Sequence, residues 1–245
     1  MNTDRLITRR TVMSATCVAT VAAMMSPAPT AEAKTDLGRP RVMWQQCVER
    51  ALQCFPTGGG YHTGRNIPPG FRQTAWTGLD RAVRVTATGV CVDPYLATPS
   101  FCSSATYLLL LKSLELYEKT CGVMPPRKEW EYLKPYTVDH RPYPIQNDGV
   151  GAWGRANANG PGMAELAHEL KIGTNLYIGT TGEYANLADR NEMFASIRRY
   201  DFMKIFWNDE IGKDERGHMV VVLGRSSHSN RSRHRVGTVR YWSSN

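Results

Sequence analysis

The sequence predicts an α+β fold in which a long apolar helix packs on a small antiparallel sheet near the C-terminus. Residues 100–121 are rich in leucine, begin with a good N-cap serine and are followed by Gly122, which is typical of a buried helix. Three short apolar segments, 202–207, 219–223 and 236–242, have the length of strands. A polar segment separates the last two, which favours a hairpin.

Two shorter helices are predicted before the long one. Met43, Val48 and Leu52 lie on or near one face of a helix over 41–53, and residues 74–87 form a second candidate helix. A loop rich in glycine and proline separates these two segments. The N-terminal part of the domain is therefore expected to be helical.

The first 33 residues have the features of an export signal. Arg9 and Arg10 precede an apolar stretch over 12–25, and a small-residue cleavage site ends the segment. The paired arginines favour the twin-arginine route, and an ordinary secretory signal is the alternative. The apolar stretch is too short to span a bilayer, so we expect no transmembrane segment. The mature protein is predicted to be one exported domain over 34–245.

The chain is basic, with a formal net charge of +8, of which about +7 remains after the export signal. This charge fits attraction to an anionic cell-wall polymer. Nucleic acid is a weaker interpretation because the most basic stretch, 225–235, contains no aromatic side chains. We therefore expect a cell-wall partner and no nucleic-acid partner.

Five of the six cysteines follow the export signal. In an oxidising compartment an odd number suggests two disulfides and one free thiol. Among the three possible pairings we favour Cys47–Cys54 and Cys91–Cys121, which leaves Cys102 free. A zinc site is the less favoured alternative, because the chain contains no Cys-x-x-Cys pair. We expect no metal and no cofactor.

Cys102 is the strongest candidate for chemistry. It lies in the predicted first turn of the long helix, where the helix dipole and unpaired N–H groups lower a thiol pKa. His218 follows Gly217 and opens the apolar strand, so its imidazole is a candidate base for that thiol. The alternatives are a buried structural cysteine and a strand-end histidine bonded to the backbone.

Three segments in this order resemble the NlpC-like superfamily of papain-fold cysteine peptidases and amidases, which act on bacterial cell walls. They are Cys-Ser-Ser at 102–104, an aspartate and alternating apolar residues at 201–206, and Gly-His with an apolar run ending in glycine at 217–224. The resemblance covers roughly residue 99 to the C-terminus. Phe101 replaces the usual aspartate, and the long Cys-to-His separation places an insertion at about 125–199.

The resemblance implies a papain-like fold and a secreted cysteine hydrolase that cleaves amide or peptide bonds. Cys102 would be the nucleophile, and His218 would be the general base and then the acid that protonates the leaving amine. Peptidoglycan peptides are the expected substrate. Acyl transfer of the transglutaminase type and a non-catalytic wall-binding module are the two alternatives.

A third polar residue should orient the imidazole. If Gly224 pairs near Gly237 in the hairpin, Ser243 and Asn245 lie on the same face as His218. We favour Asn245, since it would match the Cys-His-Asn set of papain-type enzymes, and Ser243 remains the alternative. The backbone N–H of the nucleophile would supply one oxyanion donor, and the sequence does not identify the second.

Three residues are candidates for contact with substrate. Trp153 and Arg155 lie among glycines in a long irregular region, 135–162, and such loops are often functional. Ser103 is the immediate neighbour of the predicted nucleophile. The alternative for the long region is a surface loop with one anchoring tryptophan.

Overall fold

The computed structural model describes residues 19–24, 38–87, 89–122, 127–135, 145–146, 149–157, 162–163, 166, 173–178, 194–208, 217–229 and 235–244. Five α-helices lie in these ranges: α1 (Gly38–Leu52), α2 (Ala75–Ala82), α3 (Cys102–Cys121), α4 (Arg127–Leu133) and α5 (Gly151–Asn157). The strands are β1 (Ala19–Met24), β2 (Val83–Thr86), β3 (Gly89–Val92), β4 (Ile145–Gln146), β5 (Gly149–Val150), β6 (Gly173–Ile178), β7 (Phe202–Phe206), β8 (Gly217–Ser229) and β9 (Arg235–Trp242).

Helices and small antiparallel sheets together confirm the α+β class. The main sheet has five strands in the order β6-β1-β7-β8-β9, and all of its pairings are antiparallel. Strands β2 and β3, and strands β4 and β5, form two separate two-stranded sheets. None of the helices in the described part of the chain is long and apolar enough to cross a membrane.

Helix α3 is the centre of the core. Its residues Tyr107 to Leu111 are all buried, so the helix is covered on every side in this stretch. Helix α1 packs on one side of it and strand β8 on another. Gly122 ends α3 in the left-handed conformation (φ 68°) and donates its N–H to the Glu118 carbonyl, as predicted for a C-terminal glycine.

Strand β1 comes from the segment predicted to be the apolar part of an export signal. Its residues Ala19–Met24 pair with Gly173–Ile178 on one side, and Ala19–Ala22 pair with Phe202–Ile205 on the other. The sheet therefore extends beyond the predicted domain boundary at residue 34. Export and cleavage remain predictions.

The second predicted helix is shorter than expected. Helix α2 ends at Ala82, and the remainder of the predicted helix forms β2, which pairs with β3. Val83 and Val85 are β-branched and pair with Val92 and Val90, so cross-strand packing prevails over the helical spacing here. The predicted irregular region over 135–162 also contains regular structure, namely β4, β5 and α5.

The C-terminal hairpin is confirmed, but its predicted register is wrong. Gly224 pairs with Arg240, and Gly237 pairs with Ser227. The register shifts between Val222 and Gly224, where β8 carries an extra residue. A bulge of this kind cannot be read from alternation of apolar residues, because it interrupts that alternation by one position.

The two predicted disulfides are absent, because all five cysteines in the described part of the chain are thiols. Cys54 lies beyond the end of α1 at Leu52, and its thiol donates to the Arg50 carbonyl (3.4 Å) and is not bonded to Cys47. Cys47 faces α3, where burial and then the nearby Cys121 raise the pKa of its thiol. The pairing Cys47–Cys54 and Cys91–Cys121 is therefore not supported.

Candidate active site

Cys102 lies in the first turn of α3, as predicted, and is the first residue of the helix. Local hydrogen bonds fix the turn before it. The N-cap is Phe101 and not Ser100, and its N–H donates to the Ser104 hydroxyl at 2.9 Å. The Ser100 and Ser104 hydroxyl oxygens are 2.7 Å apart. These contacts hold the thiol at the helix N-terminus, where the dipole favours the thiolate.

An aromatic cluster anchors the same turn from inside the core. Phe101 packs on Trp76 (ring centroids 5.2 Å apart) and on Trp153 (6.2 Å), and Trp153 also packs on Tyr107 (5.3 Å). Trp153 is 0% exposed, so it is a core residue and the prediction that it lines a substrate groove is wrong. Its long irregular context suggested a surface position, but α5 carries it into the core.

A loop that pairs with the residue before the N-cap of α3 brings Tyr61 to the thiol. The loop runs beside the start of α3, because the His62 N–H donates to the Ser100 carbonyl (2.7 Å) and the Ser100 N–H donates to the Gly60 carbonyl (3.1 Å). The Tyr61 hydroxyl then lies 3.8 Å from the Cys102 sulfur, within the range of a hydrogen bond to sulfur. Tyr61 is thus a site residue that the sequence interpretation missed.

Gly60 allows this approach of the loop. Its φ of 79° lies in the left-handed region, and a Cβ there would lie 2.6 Å from the Phe71 ring. A single glycine in a segment with several glycines carries no sequence signal for a catalytic neighbour. The role of Tyr61 depends on a pairing between two loops, which only the folded chain shows.

His218 lies near the start of β8, directly opposite Ile205 of β7. Gly217 precedes it, and a Cβ at Gly217 would clash with the Ile205 carbonyl oxygen, so only glycine allows β7 and β8 to approach this closely. The imidazole Nε2 lies 3.0 Å from the Ser243 hydroxyl. Because Nε2 has this partner, Nδ1 is the nitrogen left for the thiol.

The electrostatics of the site favour the thiolate of Cys102. Burial by itself raises the pKa of this thiol. Hydrogen bonds with the His218 imidazole and the Met219 backbone, the charge of the imidazole and the Tyr61 hydroxyl outweigh burial and lower the pKa to about 7. Compared with the ordinary value of 9.0 this change favours the thiolate by about 3 kcal/mol.

Tyr61 remains protonated beside this thiol. Burial, and then the negative charge and hydrogen bond of Cys102, raise the pKa of the Tyr61 hydroxyl to about 12. The hydroxyl is therefore a donor throughout the neutral pH range, and it donates to the sulfur. A neutral donor at this position stabilises negative charge on or next to the sulfur.

Two exposed aromatic rings flank the imidazole. The Trp207 ring lies nearly parallel to it, with centroids 6.4 Å apart and an interplanar angle of 26°. The Tyr241 ring lies edge-on, with centroids also 6.4 Å apart and an angle of 70°. Trp207 is 61% exposed and Tyr241 43%, so both rings are available to a bound molecule.

The remaining predicted site residues are only partly located. The Ser103 hydroxyl lies 3.9 Å from the Cys102 sulfur, beside the nucleophile as expected. Asn245 and the side chain of Arg155 lie outside the described residues. Among the described residues it is therefore Ser243, the alternative to Asn245, that bonds the imidazole.

Within the part of the chain that the structure describes, no group of three histidine, cysteine, aspartate or glutamate side chains is arranged to hold a metal ion. The site consists of the Cys102 thiol, the Tyr61 hydroxyl that donates to it, the His218 imidazole and the Ser243 hydroxyl bonded to Nε2. This set supports proton transfer and nucleophilic attack by its own groups.

Comparisons of the chain with protein-family models, with curated proteins and with solved structures found no match.

Removing the Tyr61 hydroxyl should raise the pKa of the Cys102 thiol. In Tyr61→Phe the ring stays and one donor to the sulfur is lost. We expect the midpoint of the pH dependence of Cys102 alkylation to move upward from about 7, and the rate at neutral pH to fall a few-fold. The measurement is iodoacetamide labelling followed by mass spectrometry. An unchanged midpoint would show that Tyr61 does not act on the thiol.

Removing the Ser243 hydroxyl should lower turnover without unfolding the protein. Ser243→Ala deletes the 3.0 Å contact to His218 Nε2, so the imidazole loses an orienting partner. We expect kcat to fall about tenfold, the loss of about one hydrogen bond, while the melting temperature changes little. Asn245→Ala is the matched comparison. A larger loss in Asn245→Ala than in Ser243→Ala would assign the orienting role to Asn245.

Proposed function

We propose that the chain is an exported cysteine hydrolase that cleaves amide bonds, with Cys102 as nucleophile and His218 as general base and acid. The observation that carries this proposal is a thiol at the N-terminus of a buried helix whose pKa is lowered to about 7 by a hydrogen-bonded imidazole. An inert structural cysteine in apolar surroundings would have a raised pKa instead.

In the proposed reaction the imidazole takes the thiol proton, and the thiolate sulfur attacks the carbonyl carbon of the amide. The C–N bond then breaks as the imidazolium of His218 gives its proton to the leaving amine, which leaves a thioester on Cys102. Water, deprotonated by the same imidazole, attacks the thioester and releases the acid and the free thiol. The contact between Ser243 and Nε2 keeps Nδ1 directed at the sulfur through these steps.

Two donors are available for the oxyanion. The backbone N–H of Cys102 lies at the N-terminus of α3, has no partner within the helix and hydrogen-bonds the Tyr61 hydroxyl. The Tyr61 hydroxyl is the second, because it donates to the sulfur and therefore lies close to the carbon that the sulfur attacks. We propose Tyr61 as the donor that the sequence did not identify.

A papain-like arrangement is also part of the proposal. A cysteine at a helix N-terminus, a histidine at the start of a strand that packs on that helix, and a polar partner behind the histidine all support it. Peptidoglycan peptide remains the proposed substrate class, supported by the resemblance to cell-wall hydrolases and by the charge of about +7 that remains after the export signal.

Incubation with purified muropeptides, followed by mass spectrometry of the products, tests the proposal. Cleavage at one defined amide bond that is lost in Cys102→Ala is the expected result. A cross-linked product would favour acyl transfer of the transglutaminase type. Binding with no new product would favour a wall-binding module and would contradict the proposed hydrolase.

A further inference from the structure

Exposed apolar side chains are concentrated around the reactive pair. Seven large apolar side chains are exposed in the described part of the chain, and three of them, Tyr61, Trp207 and Tyr241, lie against Cys102 or His218. Single exposed apolar residues need no explanation, but a cluster at a nucleophile indicates a surface that a ligand covers.

The two rings beside His218 form a corner, which we call the aromatic corner and define as Trp207, Tyr241 and the imidazole they flank. One wall is nearly parallel to the imidazole and the other nearly perpendicular to it. The corner rests on an apolar cluster of the sheet, which includes Ile205, opposite His218, and Val222, which pairs with Tyr241.

The chemistry assigns the aromatic corner to one side of the substrate. The imidazole must protonate the leaving nitrogen, so that nitrogen lies next to His218 in the reaction. The residue that carries the leaving nitrogen therefore extends toward Trp207 and Tyr241. The residue that carries the carbonyl lies on the other side, near Cys102 and Tyr61.

The walls of the corner select for an apolar occupant. Two flat aromatic faces offer dispersion and hydrophobic contact. Of the three side chains that define the corner, only the His218 imidazole and the Tyr241 phenol can ionise. An acidic side chain would lose hydration against the two aromatic faces, which carry partial negative charge and offer it no hydrogen bond.

We propose that the aromatic corner is a leaving-group subsite, and that it selects amines whose carbon skeleton carries a branched or aromatic apolar side chain. This inference rests on the proposed function, because it assumes an acyl group on Cys102. Trp207 is its main determinant, since its ring is the more exposed and lies along the imidazole.

The test uses the thioester step, so it does not depend on knowing the natural amide. N-acetyl-alanine p-nitrophenyl ester acylates Cys102 and releases p-nitrophenol. An added amine then attacks the thioester carbonyl, a C–N bond forms, the C–S bond breaks, and the imidazole returns the proton to the sulfur. Glycinamide, leucinamide, phenylalaninamide, lysinamide and the α-amide of glutamate compete with water for the same thioester, and mass spectrometry gives each ratio of amide to acid.

We expect leucinamide and phenylalaninamide to capture the acyl group about tenfold better than glycinamide, as partial burial of one apolar side chain predicts. In Trp207→Ala that preference should fall to about twofold or less, and Trp207→Phe should retain most of it. Val42→Ala is the matched control, because Val42 is also exposed but lies on α1 beside Trp44, which packs on the distal part of α3.

The ratio of amide to acid product distinguishes selection of the amine by Trp207 from mere positioning of the imidazole by Trp207. If Trp207 only positions His218, its loss slows capture by water and by every amine alike, and the ratios do not change. Unchanged ratios in Trp207→Ala would overturn the proposed subsite. Equal capture of all amines by the wild type, or a preference for lysinamide, would overturn it as well. Ester turnover equal in wild type and Cys102→Ala would instead refute the proposed function, and the subsite with it.

Discussion

Cys102→Ala is expected to abolish hydrolysis and to leave the fold intact. The substitution removes only the sulfur from the first turn of α3, while the hydrogen bonds between Phe101 and Ser104 that fix this turn remain. The loss of activity should reach the background of the assay, since no other group in the described site replaces a thiolate. The measurements are turnover of muropeptides or of the p-nitrophenyl ester and thermal unfolding of both proteins.

Cys54→Ala and Cys91→Ala are the matched controls, because both thiols lie outside the described site. Each should retain wild-type turnover. Activity in Cys102→Ala, or an equal loss in either control variant, would contradict the assignment of Cys102 as nucleophile.

His218→Ala is expected to lower kcat by a factor of about 100 to 10,000, the range for loss of a general acid and base. It also removes the hydrogen bond and charge that lower the pKa of the Cys102 thiol, so that pKa should rise. The thiolate fraction at neutral pH falls as a result. Activity should therefore recover in part as the pH is raised above 8.

The double variant Cys102→Ala, His218→Ala should be no slower than Cys102→Ala alone, because the two groups act on one proton and one sulfur. Kinetics measured for the two single variants and the double variant give this comparison. A residual rate in Cys102→Ala that falls further in the double variant would indicate that His218 acts independently of Cys102.

The parts of the fold that follow from local sequence patterns were predictable. Leucine spacing and the terminal glycine locate α3 and its end at Gly122, and alternation with a polar break locates the β8–β9 hairpin. Predicted features that depend on long-range contacts were wrong. A bulge after Val222 shifts the hairpin register, and pairing with β3 turns the end of the second predicted helix into β2.

The candidate site shows the same division. Cys102 and His218 carry sequence signals of their own, a helix start and a glycine followed by an apolar strand. Tyr61 carries none, because its position comes from a loop that pairs with Ser100, 39 residues later in the chain. Trp153 shows the opposite case: it was predicted to contact substrate because the glycines around it suggested a loop, but it lies in α5 and is buried.

The pH dependence of Cys102 alkylation tests the central claim most directly. Iodoacetamide reacts with the thiolate, and mass spectrometry separates the rate at Cys102 from the rates at Cys54 and Cys91. We predict that Cys102 reacts fastest at pH 7, that its rate rises with pH through a midpoint of about 7, and that the midpoint moves upward in His218→Ala. A Cys102 midpoint at the ordinary thiol value of 9.0, unchanged in His218→Ala, would contradict the account.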